Sequence, residues 1–345
     1  MGVQIVEILP KKEIDYQFLS GRNVAVDAHL TLYQFLTTIR QPDGSLLIDS
    51  SGNVTSHLMG IFTRNANLLI KKIFPIYVFD GTPPELKRKT LEERRKIKEE
   101  AQKRYEEARE LGLVAEMRKY ASRTTRLTPE MIEESKQLLK ALGIPVVQAP
   151  SEGEAQASYI VKRGDAYAVS SQDTDCLLFG TPRLVRHLNI TSKKKIPGAI
   201  AYKQIPIEMI ELQEVLSTLG ITREQLIALS MLVGTDFNPG GIKGIGPKNA
   251  LKLVKKHGNN FGELFEEVKW GSFFEFGWEE VFELIDKMPV SEDYSIKRGK
   301  VDREKVIEIL CDAHQFSRER IEKTLSELEQ SCENSSQKGL SEFFG

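Results

Sequence analysis

Four short apolar runs recur along the chain, and each stops at acidic residues or a turn. "RNVAVDAHLTLYQFL" is rich in β-branched residues up to Asp27 and then changes to helical spacing. "IFPIYVFDGTPP" ends on Asp80 before a Gly/Pro turn, and "DAYAVSSQDTD" ends on Asp173 and Asp175. "IPVVQAPSEGEA" leads into a helix that opens with Glu152 and Glu154. Short continuous apolar runs alternating with helical segments predict βαβ units. The expected fold is therefore α/β, with a mainly parallel central sheet covered by helices on both faces. Ligands bind such sheets outside the carboxyl ends of the strands. Every carboxylate named here falls at such an end.

Part of this acidity has a structural reading. Ser151-x-x-Glu154 has the spacing of a capping box. Asp173 stands where it could cap the helix through Asp175 and Cys176. Six carboxylates in one crevice nevertheless repel one another and raise each other's pKa. Cations with oxygen ligands remove that cost. With no His or Cys in the set, Mg²⁺ or Mn²⁺ is favoured over zinc. Two ions roughly 3.5–4 Å apart would clamp a phosphodiester for in-line attack. Calcium storage and simple helix capping are the alternatives that the residues leave open. His29, two residues from Asp27, is read as a packing or surface residue.

Charge changes the picture between residues 86 and 126. That stretch holds 14 Lys/Arg against 8 Asp/Glu and few apolar residues, in a chain of net charge -1. Pairs such as Glu99/Lys103 and Glu100/Arg104 predict a solvated helix. The positive excess beside an acidic site suits a phosphate-binding arch. Lys193-Lys194-Lys195 form a smaller basic run in an expected loop before Pro197. "LSMLVGTDFNPGGIKGIGPKNALKLVKKHG" predicts a helix ending near Val233, a glycine-rich turn, and a helix from Pro247 to His257. Gly244 and Gly246 let backbone N–H groups approach a phosphate, with Lys243 and Lys248 beside them. This is the spacing of a helix–hairpin–helix for sequence-independent duplex binding. Asp236, at its entry, is a seventh carboxylate.

The remaining features limit the setting. Cys176, Cys311 and Cys332 are dispersed, have no metal-ligand spacing and point to a reducing interior. No apolar run approaches the roughly 18 residues of a membrane span. A soluble, cytoplasmic protein is expected. The polar, Ser-rich end carries Gln337, Leu340, Phe343 and Phe344, the spacing of a motif that docks on sliding clamps. Exposed aromatics on a polar tail need such cover.

Together, "VAVDA", "YVFDGTPPELK", "PSEGEAQA", "SSQDTDCLLFG", "LVGTDF", "GIKGIGPKNAL" and "QKGLSEFF" closely resemble the structure-specific 5′ flap endonucleases, the archaeal kind in particular. The resemblance spans nearly the whole chain. It implies a PIN-like 5′ nuclease fold with a core over 1–328, including an arch over 86–126 and a helix–hairpin–helix over 228–258. Residues 329–345 would be a flexible clamp-binding tail. It also implies that Asp27, Asp80, Glu152 and Glu154 serve one Mg²⁺ and that Asp173, Asp175 and Asp236 serve a second. Lys87 and Arg94 would contact the scissile phosphate, and Tyr33 would stack on the terminal base. Gly2 would thread close to the site. K⁺ would sit on the carbonyls of Ile242 and Ile245, although Gly241 replaces a hydroxyl ligand of some relatives. The implied substrate is branched DNA with a 5′ flap, in replication and repair, with 5′→3′ exonuclease activity as well. The implied partner is a PCNA-type clamp, and the implied state is a monomer associated with the nucleoid. Bubble-cutting relatives carry a far longer insertion than the 71 residues between Asp80 and Glu152. A non-catalytic clamp-bound adaptor is the reading from another class.

Overall fold

The computed structural model describes residues 3–41, 44–111, 113, 116, 120, 124–189, 193–195 and 202–341. Among the described residues there are nine strands: β1 Lys12–Ile14, β2 Asn23–Asp27, β3 Phe74–Phe79, β4 Val146–Gln148, β5 Ala168–Ser170, β6 Arg183–Arg186, β7 Lys193–Lys195, β8 Tyr202–Gln204 and β9 Ile207–Glu211. Seven of them form one sheet in the order β1-β9-β6-β5-β2-β3-β4. The four apolar runs of the sequence are β2, β3, β4 and β5, and they pair in parallel. The β9 strand runs antiparallel to both β6 and β1, which closes one edge.

Strand periodicity divides the core. Ala25, Ile76 and Val78 face one side, with the helices Gly153–Lys162 and Arg223–Val233. Val26, Tyr77 and Phe79 face the other, with the helices Ala28–Thr38, Ser56–Ile70 and Pro129–Ala141. Successive side chains on one strand thus enter opposite cores, and both faces of β2 and β3 are buried. Each such Val or Ile contributes roughly 1.5–3 kcal/mol by burial. Two-sided burial fixes the register, and with it the position of Asp27 and Asp80 at the strand ends.

The arch helix runs over Arg88–Glu110 after a short 3₁₀ turn at Glu85–Lys87. Arg104 pairs with Glu100 at 2.5 Å as its spacing predicts, whereas Glu99 pairs with Arg95 at 3.7 Å. Much of 111–123 lies outside the described residues. The helix–hairpin–helix falls on Arg223–Val233 and Pro247–His257, with Pro247 opening the second helix. A side chain at Gly241, where φ is +57°, would meet the Val233 and Leu232 backbone at 2.4–2.5 Å. Glycine there lets the turn close on the first helix.

Two expectations are corrected. Ser151 does not cap a helix: the helix begins at Gly153 with Glu152 at its N-cap and no side-chain cap. Lys193–Lys195 is not loop but a strand paired antiparallel with Tyr202–Gln204, so backbone pairing organises a run with no apolar pattern. The last helix, Arg318–Ser341, crosses position 328 into the stretch expected to be flexible. Gly339 is its only strong helix breaker, and Gln337 and Leu340 lie within it. Gly2, Phe343 and Phe344 lie outside the described residues. Among those described, no helix is long and apolar enough to cross a membrane.

Candidate active site

The parallel strands deliver their carboxylates to one crevice, and the local hydrogen bonds show how. Asp27, the last residue of β2, caps the helix that follows by accepting the Leu30 N–H at 3.0 Å. Asp80 follows β3 and accepts the Gly153 N–H at 2.7 Å. A side chain at Gly153 would meet that Asp80 oxygen at 2.7 Å, so its absence lets a neighbouring strand cap this helix. Ser171 Oγ stands 3.3 Å from Asp27 and 3.1 Å from Glu154. Val3 donates its N–H to Asp175 at 2.8 Å, and Thr174 donates its hydroxyl to the Val3 carbonyl at 2.9 Å. The Asp175 N–H in turn points to Asp173 at 3.4 Å.

The base of the arch supplies the opposite charge. Lys87 Nζ lies 2.5 Å from Glu152 and 3.4 Å from Asp236, and Arg94 lies 2.5 Å from Asp236. Thr90 donates its hydroxyl to the Asp236 carbonyl at 2.6 Å. Burial alone would lower the Lys87 pKa, but Glu152 and Asp236 hold it above the ordinary lysine value. Lys98 donates to the Tyr33 hydroxyl at 3.2 Å and sits 4.5 Å over its ring.

The carboxylates respond to burial and to one another. Asp27 is pushed up to about 7, by burial first and then by the charges of Asp80 and Asp173. Burial and Asp173 push Glu154 and Asp175 well above the usual carboxylate range. Burial also raises Glu152, against the pull of Lys87. As the side chains stand, no three His, Cys, Asp or Glu residues among those described converge as a ready ligand set. Glu152 and Asp236 are turned to Lys87 and Arg94, Asp80 to a helix N-terminus and Asp175 to Val3. The donor chemistry nonetheless fits a hard divalent cation: the carboxylates supply only oxygen, and burial, joined by neighbouring negative charge, raises the pKa of Asp27, Glu152, Glu154 and Asp175.

Two cavities adjoin the crevice. One, of about 600 Å³, opens under the arch between His29, Tyr33, Lys87, Arg94, Lys98 and Arg126. The other, of about 760 Å³, runs from Asp173 and Thr174 past Val3 to Ile245, Gly246 and Pro247. It joins the acidic crevice to the glycine turn, where Lys243, Gly244, Gly246 and Lys248 are exposed. The sequence reading missed Val3, Thr90 and Ser171. Only the adjacency of Ser171 to Asp173 in "SSQDTD" marked any of the three.

An XPG N-terminal domain matches residues 1–101 and an XPG I-region matches residues 143–236. The chain is 52% identical over 331 residues to flap endonuclease 1 of Aeropyrum pernix, covering 95% of this chain and 94% of that one. It is 49% identical over 344 residues to flap endonuclease 1 of Pyrococcus abyssi, covering 100% and 98%. The structure of flap endonuclease-1 from Methanococcus jannaschii superposes with a TM-score of 0.76 at 41% identity, over 97% of this chain and 100% of that one.

Proposed function

The chain belongs to the flap endonuclease 1 family, and from that membership and the geometry of the crevice we propose how its residues carry the activity. The protein is a structure-specific 5′ flap endonuclease, a DNA nuclease of a divalent-metal-dependent family acting on branched DNA. We assign Asp27, Asp80, Glu152 and Glu154 to one Mg²⁺, and Asp173, Asp175 and Asp236 to a second. Mn²⁺ would suit the same oxygens. The bound cations would neutralise the carboxylates, lower the pKa of the attacking water and offset charge on the phosphate.

The protein groups divide the remaining work. Lys87 and Arg94 would exchange their carboxylate partners for the scissile phosphate and hold its developing charge. Tyr33 would stack on the terminal base as the strand unpairs, a contact worth roughly 1–3 kcal/mol. The helix–hairpin–helix would grip duplex phosphates through Gly244, Gly246, Lys243 and Lys248, with K⁺ on the Ile242 and Ile245 carbonyls. The C-terminal residues Gln337, Leu340, Phe343 and Phe344 would dock on a PCNA-type clamp in replication and repair. The observation that carries this reading is the contact of Lys87 and Arg94 with Glu152 and Asp236. It brings the basic arch onto the acidic crevice. A labelled 5′ flap, a nicked duplex and a bubble, each with Mg²⁺ and with EDTA, test it. Flap cutting at the junction is expected only with metal. Cutting of the bubble alone, or binding of the flap with no cutting in any metal, would overturn it.

A further inference from the structure

We propose that His29 is a further substrate contact, a neutral N–H donor in the wall of the cavity under the arch that takes a phosphate oxygen of the unpaired strand. The two ring nitrogens have different tasks. Nδ1 accepts the backbone N–H of Asp80 at 3.1 Å. A nitrogen that accepts a hydrogen bond carries no proton, so the ring's one proton sits on Nε2. The Asp80 carboxylate stands 3.2 Å from the same Nδ1, but the lone pair there is already used by the backbone donor. Nε2 has no partner among the described residues. The ring is held edge-on to Phe79, with centroids 5.7 Å apart, and its side chain is 21% exposed. It is fixed but open on one side.

What it opens onto decides the ligand. The cavity wall carries Lys87, Arg94, Arg95, Lys98 and Arg126 with the ring of Tyr33. Cations around an aromatic platform suit a single nucleic-acid strand, whose phosphates and bases alternate. A neutral donor among those cations adds a directed bond without adding charge. It would therefore fix where the strand lies without strengthening attraction to DNA in general. The same ring holds the main chain of Asp80, so strand and carboxylate are positioned by one side chain. The inference rests on the flap endonuclease reading above.

The test is binding in EDTA, which separates affinity from cutting. Fluorescence anisotropy would compare a 5′-flap duplex with the same nicked duplex lacking the flap. His29→Phe keeps the ring volume and loses both nitrogens. His29→Asn keeps an acceptor for Asp80 but not the reach of Nε2, and His29→Gln keeps an N–H near the Nε2 position. Phe and Asn are expected to weaken flap binding about tenfold, the scale of one hydrogen bond to a charged group. Binding of the nicked duplex should stay unchanged, and Gln should recover most of the loss. The slope of affinity against salt should not change, because a neutral contact releases no counterion. An equal loss on both duplexes, or no loss on the flap, would overturn the proposal. So would a slope reduced by about one, which marks a cationic contact. A wild-type enzyme that binds both duplexes alike would sink the flap reading and the proposal with it. A wild-type flap preference that is undiminished in His29→Phe and His29→Asn would sink the proposal alone.

Discussion

Lys87 and Glu152 form an ion pair, Nζ to Oε2 at 2.5 Å, between the root of the arch and the N-cap of a helix, 65 residues apart in sequence. Lys87 is 14% exposed and Glu152 is 9% exposed, so water screens the pair weakly. Lys87→Ala is expected to lower single-turnover cleavage about 10²–10³-fold, the range for losing one preorganised charge-stabilising group. Affinity should fall far less, because one phosphate contact among several is a small share of binding. Rates and affinity measured at saturating enzyme decide it: normal chemistry with weak binding would make Lys87 a backbone contact only.

Asp27 predicts a pH dependence whose sign follows from its environment. Its pKa is raised from 3.8 to about 7, so the ionised form costs the fold. That cost is absent below about pH 4, grows as pH rises to about 7, and is then constant. Asp27→Asn keeps the cap on Leu30 and removes the charge. In EDTA it should raise the melting temperature by several degrees at pH 8 and by nothing at pH 4, while abolishing cutting with Mg²⁺. A melting temperature lowered at pH 8 would contradict the repulsion argument. Asp80→Asn should also abolish cutting with DNA binding kept or tightened, and an active Asp80→Asn enzyme would defeat the metal assignment.

Val3 holds Asp175 from 172 residues away. Deleting residues 1–3 removes that N–H and the acceptor for Thr174, leaving a buried carboxylate short of a donor. Cleavage should drop at least tenfold with the circular dichroism spectrum retained. An unchanged rate would show that the N-terminal contact is packing alone.

Asp49 meets a residue 265 positions further along the chain. It accepts the Ser51 and Asn53 N–H groups at 2.9 and 2.8 Å, and His314 Nδ1 lies 2.9 Å away. Burial would raise its pKa, but hydrogen bonds from Asn53 and His314 hold it at about 2, below the ordinary 3.8. The stabilisation is complete above about pH 4 and is lost as pH falls towards 2. Urea midpoints of wild type and Asp49→Asn should differ at pH 7 and converge by pH 2. A gap that persists at pH 2 would mean the carboxylate's charge is irrelevant.

Phe343→Ala with Phe344→Ala should abolish clamp binding and clamp stimulation and leave flap cleavage without clamp unchanged. Buried aromatic anchors contribute roughly 1.5–3 kcal/mol each by area and act as hot spots. Calorimetry against the organism's own clamp decides it, and retained affinity would mean that docking occurs elsewhere.

The strands and their acidic ends were legible because two-sided burial writes continuous apolar runs, as in "YVF" before Asp80. The β1 edge was not, since the three residues Lys12–Ile14 are exposed or partly exposed and carry no run. The Ser151 cap was misread because a distant strand supplies the capping carboxylate, Asp80, to Gly153. Val3, Thr90 and Ser171 act through single hydrogen bonds, which impose no period on the sequence. His29 looked like packing because only the fold brings its Nδ1 to the Asp80 backbone.

The crevice also sets a schedule for synthesis. Its carboxylates span residues 27 to 236, and the sheet that gathers them pairs β2 in parallel with both β3 and β5. A chain leaving the ribosome has made Asp27 and the arch long before Asp236 emerges, and Val3 must wait for Asp175. Long-range pairing of this kind forms late. Shortened products of interrupted translation that end before Asp236 therefore contain the basic stretch but not all seven carboxylates.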